Sequence, residues 1–180
     1  MFDRTAHLYD LLYSFKDYDA ESATLVELIR SRHADATSLL DVACGTGRHL
    51  ELLRASFPDV AGVDIEPGLL EVARTRLPGV PFTNADMRTF DLGRTFDAVT
   101  CLFSSIGYLA DLDELSTAVR RMAAHLAPGG VSSSTGGSSP RRGGRASTSM
   151  PSPRRATRWR RPGSAEPGGR AIARISTCGT

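Results

Sequence analysis

Ser38-Leu39-Leu40-Asp41-Val42-Ala43-Cys44-Gly45-Thr46-Gly47 is the stretch on which the reading of this chain turns. Leu39, Leu40, Val42 and Ala43 form a short apolar run of the kind found in a strand buried on both faces. Gly45-Thr46-Gly47 breaks that run, and a segment of helical periodicity opens at Arg48. A strand that ends in a glycine loop and opens a helix frames a nucleotide-type ligand. The glycines admit close backbone approach, and the helix start offers unpaired N–H groups with partial positive charge.

The neighbours narrow the ligand. A dinucleotide fingerprint wants a third glycine three residues after the second, where this chain has Leu50. Asp41 lies in the strand four residues before Gly45, where a cationic ligand head could lie. Val60-Ala61-Gly62-Val63-Asp64 reads as a second buried strand ending in an acid, nineteen residues past Gly45. An acid at that point suits a bidentate hydrogen bond to two ribose hydroxyls. Glu66, just before Pro67, reads instead as the cap of the next helix. Val80 to Thr83 is a weaker strand that Pro81 assigns to an edge, and Asn84-Ala85-Asp86-Met87 follows it. Phe96 to Leu102 is a fourth strand, with the loop Phe103 to Tyr108 at its carboxyl end. Helices are expected over 21–32, 48–57, 67–76 and 112–126, the last ended by Pro128-Gly129-Gly130. This alternation predicts an α/β fold, a parallel sheet with helices on both faces. The ligand candidates Gly45, Asp64, Asp86 and Ser104 each fall just past a strand.

Taken together, Asp41 to Gly47, Asp64, Asp86-Met87-Arg88 with Phe90, and Phe103-Ser104-Ser105-Ile106-Gly107 resemble class I S-adenosylmethionine-dependent methyltransferases. Within that class they resemble the TDP-amino-deoxysugar N,N-dimethyltransferases of macrolide antibiotic biosynthesis. The resemblance covers residues 1–130 and implies a Rossmann-like doubly wound sheet with S-adenosyl-L-methionine as cofactor. It implies cofactor contacts at Tyr9, Lys16, Ala43, Asp64, Asp86, Met87 and Leu102, beside Asp41, Gly45 and Gly47 from the glycine loop. It sets Phe2 and Tyr108 beside the acceptor sugar, Tyr108 as the orienting catalytic hydroxyl. Two departures stand out: Asp64 replaces the Glu of the sugar enzymes, and the loop before Lys16 is about two residues shorter.

The N-terminal segment 1–18 carries Leu8, Leu11, Leu12 and Phe15 at helical spacing, with Tyr9, Tyr13 and Tyr18 between and after them. It reads either as a cap packed on the body or as a lid over the ligand. His7, His33, His49 and His125 read as surface or helix-end residues rather than bases. No His/Asp/Cys cluster has metal-ligand spacing, so no metal is expected.

Charge divides the chain near Gly130. Residues 1–130 hold 12 basic and 19 acidic side chains; residues 131–180 hold 10 and 1. Ser, Gly, Pro and Arg supply 33 of those last 50 residues, too polar a mixture to fold unaided. The sheet is therefore expected to stop after its fourth strand, with 131–180 disordered or out of frame. The frame reading has a specific basis. Ser132-Ser133-Ser134-Thr135 in GC-rich codons, read one base earlier, spells Val-Val-Val-Asp, the missing fifth strand. Gly169 to Ser176 looks family-like again.

Three cysteines, Cys44, Cys101 and Cys178, form no C-x-x-C pair and indicate no disulfide framework. Without a signal-like or long apolar segment, a cytoplasmic protein is expected, with a small-molecule acceptor, no membrane, no nucleic acid, and a homodimer left open. Two rival readings remain: an NAD(P)-dependent oxidoreductase on a similar sheet, and a nucleic-acid binder acting through the basic tail.

Overall fold

The computed structural model describes residues 16–135 and the backbone of 173–177. Helix α1 (Tyr18–Arg30) leads into strand β1 (Ser38–Val42). Helix α2 (Arg48–Leu53), β2 (Asp59–Asp64), α3 (Pro67–Arg76) and the short β3 (Phe82–Asn84) follow. Then come β4 (Phe96–Cys101), a 3-10 turn (Ser105–Tyr108), α4 (Leu112–Ala124), β5 (Leu126–Thr135) and β6 (Ala173–Thr177). The strands form one sheet in the order β3-β2-β1-β4-β5-β6. Five are parallel, and β6 runs antiparallel against β5.

The doubly wound α/β sheet is as expected, with β3 at an edge, where Pro81 costs no ladder bond. Its order reverses between β1 and β4, the switch point at which open α/β sheets bind ligands past their strand ends. Buried side chains lie on both faces. Leu39, Leu50, Leu53, Phe57 and Leu70 are among one cluster, and Leu40, Val42, Phe90, Phe96 and Met122 among the other.

A sheet ending at its fourth strand is not what forms. Helix α4 ends at Ala124, with His125 as its cap, and the chain enters β5 at Leu126. Pro128-Gly129-Gly130 is a bulge inside that strand rather than a helix terminator. Phe96 pairs with Leu126, but Ala98 already pairs with Val131. Gly129 takes a left-handed φ of 77°, and a Cβ on Gly130 would stand 2.8 Å from the Ala127 carbonyl oxygen. The serine run then pairs residue by residue with Val99, Thr100 and Cys101. Backbone hydrogen bonding to the open edge of β4 overrides the poor strand propensity of Ser. The disorder expected of the tail concerns residues that, apart from β5 and β6, lie outside those described.

At the amino end of the sheet Asp97 fastens β4 to β1. Its Oδ2 accepts from the Thr37 N–H at 2.8 Å, the Ser38 N–H at 3.0 Å and the Ser38 hydroxyl at 2.9 Å. Burial raises its carboxyl, but these bonds outweigh it and hold the group below the ordinary Asp range. His125 is also structural. It is buried, bonds the Arg121 carbonyl through Nδ1 at 2.8 Å, accepts the Leu92 N–H on Nε2 at 3.0 Å, and stacks on Phe90. Among the described residues, no helix is long and apolar enough to cross a membrane.

Candidate functional site

The carboxyl ends of β1, β2, β3 and β4 meet around two adjoining cavities. Three non-glycine residues there hold left-handed backbone: Ala43 (φ 59°), Phe103 (55°) and Ser104 (58°). Such conformations cost on the order of 1–3 kcal/mol each and persist where the surrounding fold enforces them. All three lie where β1 and β4 end, so the strain is concentrated at the rim of the site.

The larger cavity, about 320 Å³, is bounded on one side by Ala43, Gly45, Asp64 and Leu69. Ala85 to Arg88 and the Ser105–Leu109 segment with Glu114 bound the others. Asp64, at the tip of β2, is buried. Its Oδ2 accepts the Gly45 N–H at 2.8 Å and its Oδ1 the Glu66 N–H at 2.9 Å. Two backbone donors therefore aim a carboxylate that still has acceptor capacity for a ligand. Burial raises its pKa, and those same bonds to Glu66 and Gly45 oppose the rise. Glu66 stands at the N-cap of α3 without a capping side-chain bond, so the capping expected of its carboxylate does not occur. Asn84 Nδ2 donates to the Asp64 and Ile65 carbonyls at 3.0 and 2.9 Å, fixing the loop beneath Asp64.

Asp86, two residues past β3, faces the same cavity. Arg88 chelates it, Nε reaching Oδ1 at 2.9 Å and Oδ2 at 3.0 Å, and Nη2 also bonding Oδ2. The Arg88 bond holds the Asp86 carboxyl below its ordinary range.

The smaller cavity is lined by Asp41, Ala43, Cys44, Gly45, Leu102 and Phe103, with Tyr18 and His49 at its side. Asp41 is 1% exposed, and its Oδ1 accepts the Thr100 hydroxyl at 2.7 Å from the register-matched residue of β4. Burial pushes its carboxyl up to about 7; the Thr100 bond opposes this, Asp64 adds to it and Lys16 opposes it. Lys16 lies beside this cavity, paired with Glu21 at 2.8 Å and set over the Phe103 ring at 4.0 Å. Glu21 also meets His49 Nε2 at 3.2 Å. His49 is buried and its pKa is lowered, first by that burial. Of the surface or helix-end positions expected of this histidine, the structure gives the second: it is buried in the first turn of α2 and forms part of the cavity wall. Cys44 is buried against Gly62, where a Cβ would stand 2.7 Å from its sulfur.

The expected residues thus fall into four groups, one of them Lys16 alone, which lines neither cavity and pairs with Glu21. Asp41, Ala43, Gly45, Asp64, Asp86, Met87, Leu102 and Tyr108 line one cavity or the other. Tyr108 stands at the mouth, 81% exposed. Gly47 lines neither: it caps α2 with φ 73° and packs where a Cβ would lie 3.3 Å from Ala73 and Leu77. Its glycine therefore serves close helix packing. Phe2, Tyr9 and the rest of the proposed lid lie outside the described residues up to Phe15. Sequence reading missed Thr100, Asn84 and Glu114. Only Thr100 had a signal, as a polar residue in a run otherwise fit for a buried strand. Among the described residues, no group of His, Cys, Asp and Glu could hold a metal.

This geometry defines an α/β protein with two adjoining cavities at its switch point. The profile of the methyltransferase-domain family matches residues 39–130, and the chain belongs to that family. It is 51% identical over 128 residues to the dTDP-3-amino-3,4,6-trideoxy-alpha-D-glucopyranose N,N-dimethyltransferase of Streptomyces venezuelae, covering 70% of this chain and 54% of that protein. With the dTDP-4-amino-2,3,4,6-tetradeoxy-D-glucose N,N-dimethyltransferase of Saccharopolyspora spinosa it shares 47% over 128 residues, 70% of this chain and 51% of the other. A solved structure of SAM-bound CalS10, an amino pentose methyltransferase from Micromonospora echinaspora, superposes with a TM-score of 0.71 at 47% identity. That match covers 74% of this chain and 57% of CalS10. The chain spans about half the length of the curated relatives it matches.

Proposed function

We propose that this chain carries the S-adenosyl-L-methionine site of an amino-deoxysugar N-methyltransferase. The observation that carries the reading is the pairing of Asp64 and Asp86 across one apolar-walled cavity, continuous with the glycine loop and Asp41. This donor set fits the cofactor. Asp64, held by two backbone N–H groups, accepts from a vicinal diol; Asp86 accepts from an exocyclic amine. Ile65, Leu69, Met87 and Leu109 supply apolar wall for a flat ring. Asp41, buried and bonded on Oδ1 by the Thr100 hydroxyl, favours a cationic amino-acid end.

When bound, the cofactor supplies an electrophilic methyl on a sulfonium, displaced in line by a neutral amine. The chain's own task is alignment and exclusion of water, which together account for several kcal/mol of such barriers. Tyr108 at the mouth orients the acceptor, and the family resemblance assigns Phe2 to the acceptor and Tyr9 to the cofactor. The acceptor is a TDP-linked deoxysugar amine, supported by identities near one half to enzymes named for that substrate class. Membership of the methyltransferase-domain family leaves the oxidoreductase reading without a supporting observation.

Residues 131–180 enter this proposal as a segment read out of frame. The support is Ser133, 2% exposed in β5 with no hydrogen-bond partner for its hydroxyl, at a point where a buried parallel strand favours valine. Titration calorimetry with S-adenosylhomocysteine tests the cofactor reading. One ligand per chain, lost in Asp64→Ala, is expected; no heat with the parent chain overturns it. The frame reading is tested on the gene: a family-like fifth strand must appear in the alternative frame.

A further inference from the structure

Asp86 and Glu114 both line the larger cavity, and one side chain joins them. Arg88 chelates Asp86 and bonds Glu114 Oε1 through Nη1. Glu114 in turn accepts the Ala110 N–H on Oε2 at 2.9 Å. It sits in the first turn of α4, where Asp111 Oδ1 caps its backbone N–H at 2.9 Å. A continuous chain of bonds thus links the segment after β3 to the segment after β4. Those are the two segments that flank the cavity with Ala85–Arg88 and with Ser105, Tyr108 and Leu109.

The count of acceptor sites on Asp86 gives this clasp a chemical meaning. A carboxylate offers about four lone-pair positions. Three N–H groups of Arg88 bond it: the backbone N–H at 2.8 Å from Oδ1, the Nε–H shared between Oδ1 and Oδ2, and one Nη2–H on Oδ2. Counted by donors, one acceptor position is left for a ligand. We infer that Arg88 is a specificity-determining positioning residue: clamped by Glu114, it leaves Asp86 one outward acceptor and so selects a 6-amino over a 6-oxo purine. The inference rests on the cofactor reading above. A 6-oxo base would set a carbonyl oxygen against a fixed carboxylate, while a 6-amino base donates to it. With Arg88 gone, the Asp86 carboxylate is free to turn away from the base, and the discrimination falls.

The test measures affinities of S-adenosylhomocysteine and its inosine counterpart, S-inosylhomocysteine, for the full chain and for Arg88→Met, Arg88→Lys and Glu114→Gln. The parent is expected to prefer the adenosyl ligand at least about tenfold, the worth of one hydrogen bond to a charged group. Arg88→Met should bring the two affinities to within about threefold, with Arg88→Lys and Glu114→Gln between the two extremes. The latter two keep the test open should Arg88→Met not fold. A ratio that stays at the parent value in the variants, because both ligands weaken equally, overturns the inference while the cofactor reading stands. A parent that binds neither ligand overturns the cofactor reading, and this inference with it.

Discussion

Strands β1 and β5 flank β4 on either side and take their register from it, yet they are held in different ways. In β1 the side chains do the holding: Leu39, Leu40 and Val42 are fully buried, Leu39 in one cluster and Leu40 and Val42 in the other. In β5 only Val131 enters a core cluster, and the next buried residue is Ser133, with an unpartnered hydroxyl. Val131 and Leu126 tie the start of β5 to the core, and backbone pairing places the serine run beyond them. That run has little share in the hydrophobic stabilisation, which is why buried positions of the two strands should answer mutation differently.

The largest effect is expected on the β1 side. Leu40→Ala should cost about 2–5 kcal/mol in urea unfolding, by lost transfer energy and the cavity left behind. A cost under about 1 kcal/mol would break the contrast between the strands.

Next comes Asp41, the one buried charge-bearing residue of β1. Its folded pKa of about 7 lies above the ordinary 3.8, so the unfolded chain ionises first. The stability that Asp41 contributes is therefore full below pH 3.8 and falls as pH rises towards about 7, where it levels off. The loss is on the order of 4 kcal/mol, and Asp41→Asn should flatten that part of the pH–stability curve. A parent curve that rises between those limits, after correction for the other carboxylates, would contradict the burial argument.

On the β5 side Ser133→Val should raise stability by about 1–2 kcal/mol, since it removes an unsatisfied buried hydroxyl and adds apolar contact. No gain, read as an unchanged denaturant midpoint, would mean that the strand's surroundings already suit a hydroxyl.

The smallest difference compares two hydroxyls at the strand ends. Ser38→Ala in β1 removes two 2.9 Å bonds with Asp97, one donated to Oδ2 and one accepted from its N–H, and should cost about 1 kcal/mol. Thr135→Ala in β5 removes only a 3.4 Å bond from the Ser104 N–H and should cost less than about 0.5 kcal/mol by thermal melting.

The same contrast explains what could be read from the chain before its structure. Leu39 to Val42, Val60 to Val63 and Phe96 to Cys101 announce themselves because buried parallel strands require apolar, often β-branched runs. The acids at their tips announce themselves by spacing. Strand β5 stayed hidden because Pro128-Gly129-Gly130 carries the signs of a helix stop, and serine carries none of a strand. What rescued it was a non-local partner, the free edge of β4. Helix α2 ended at Leu53 rather than Phe57, a difference of fraying at a short element. At the site, Asp64 and Asp86 were legible as single residues; their fixation was not. The Arg88–Glu114 bond joins residues 26 apart and the Thr100–Asp41 bond residues 59 apart. No local pattern encodes such pairs.

Cys44 carries one more consequence. Its thiol is walled in by Gly62 on the edge of the smaller cavity, and burial pushes its pKa well above the ordinary value. Alkylation of that sulfur is therefore expected to be slow, and a molecule lodged between Asp41 and Leu102 in the same cavity should slow it further.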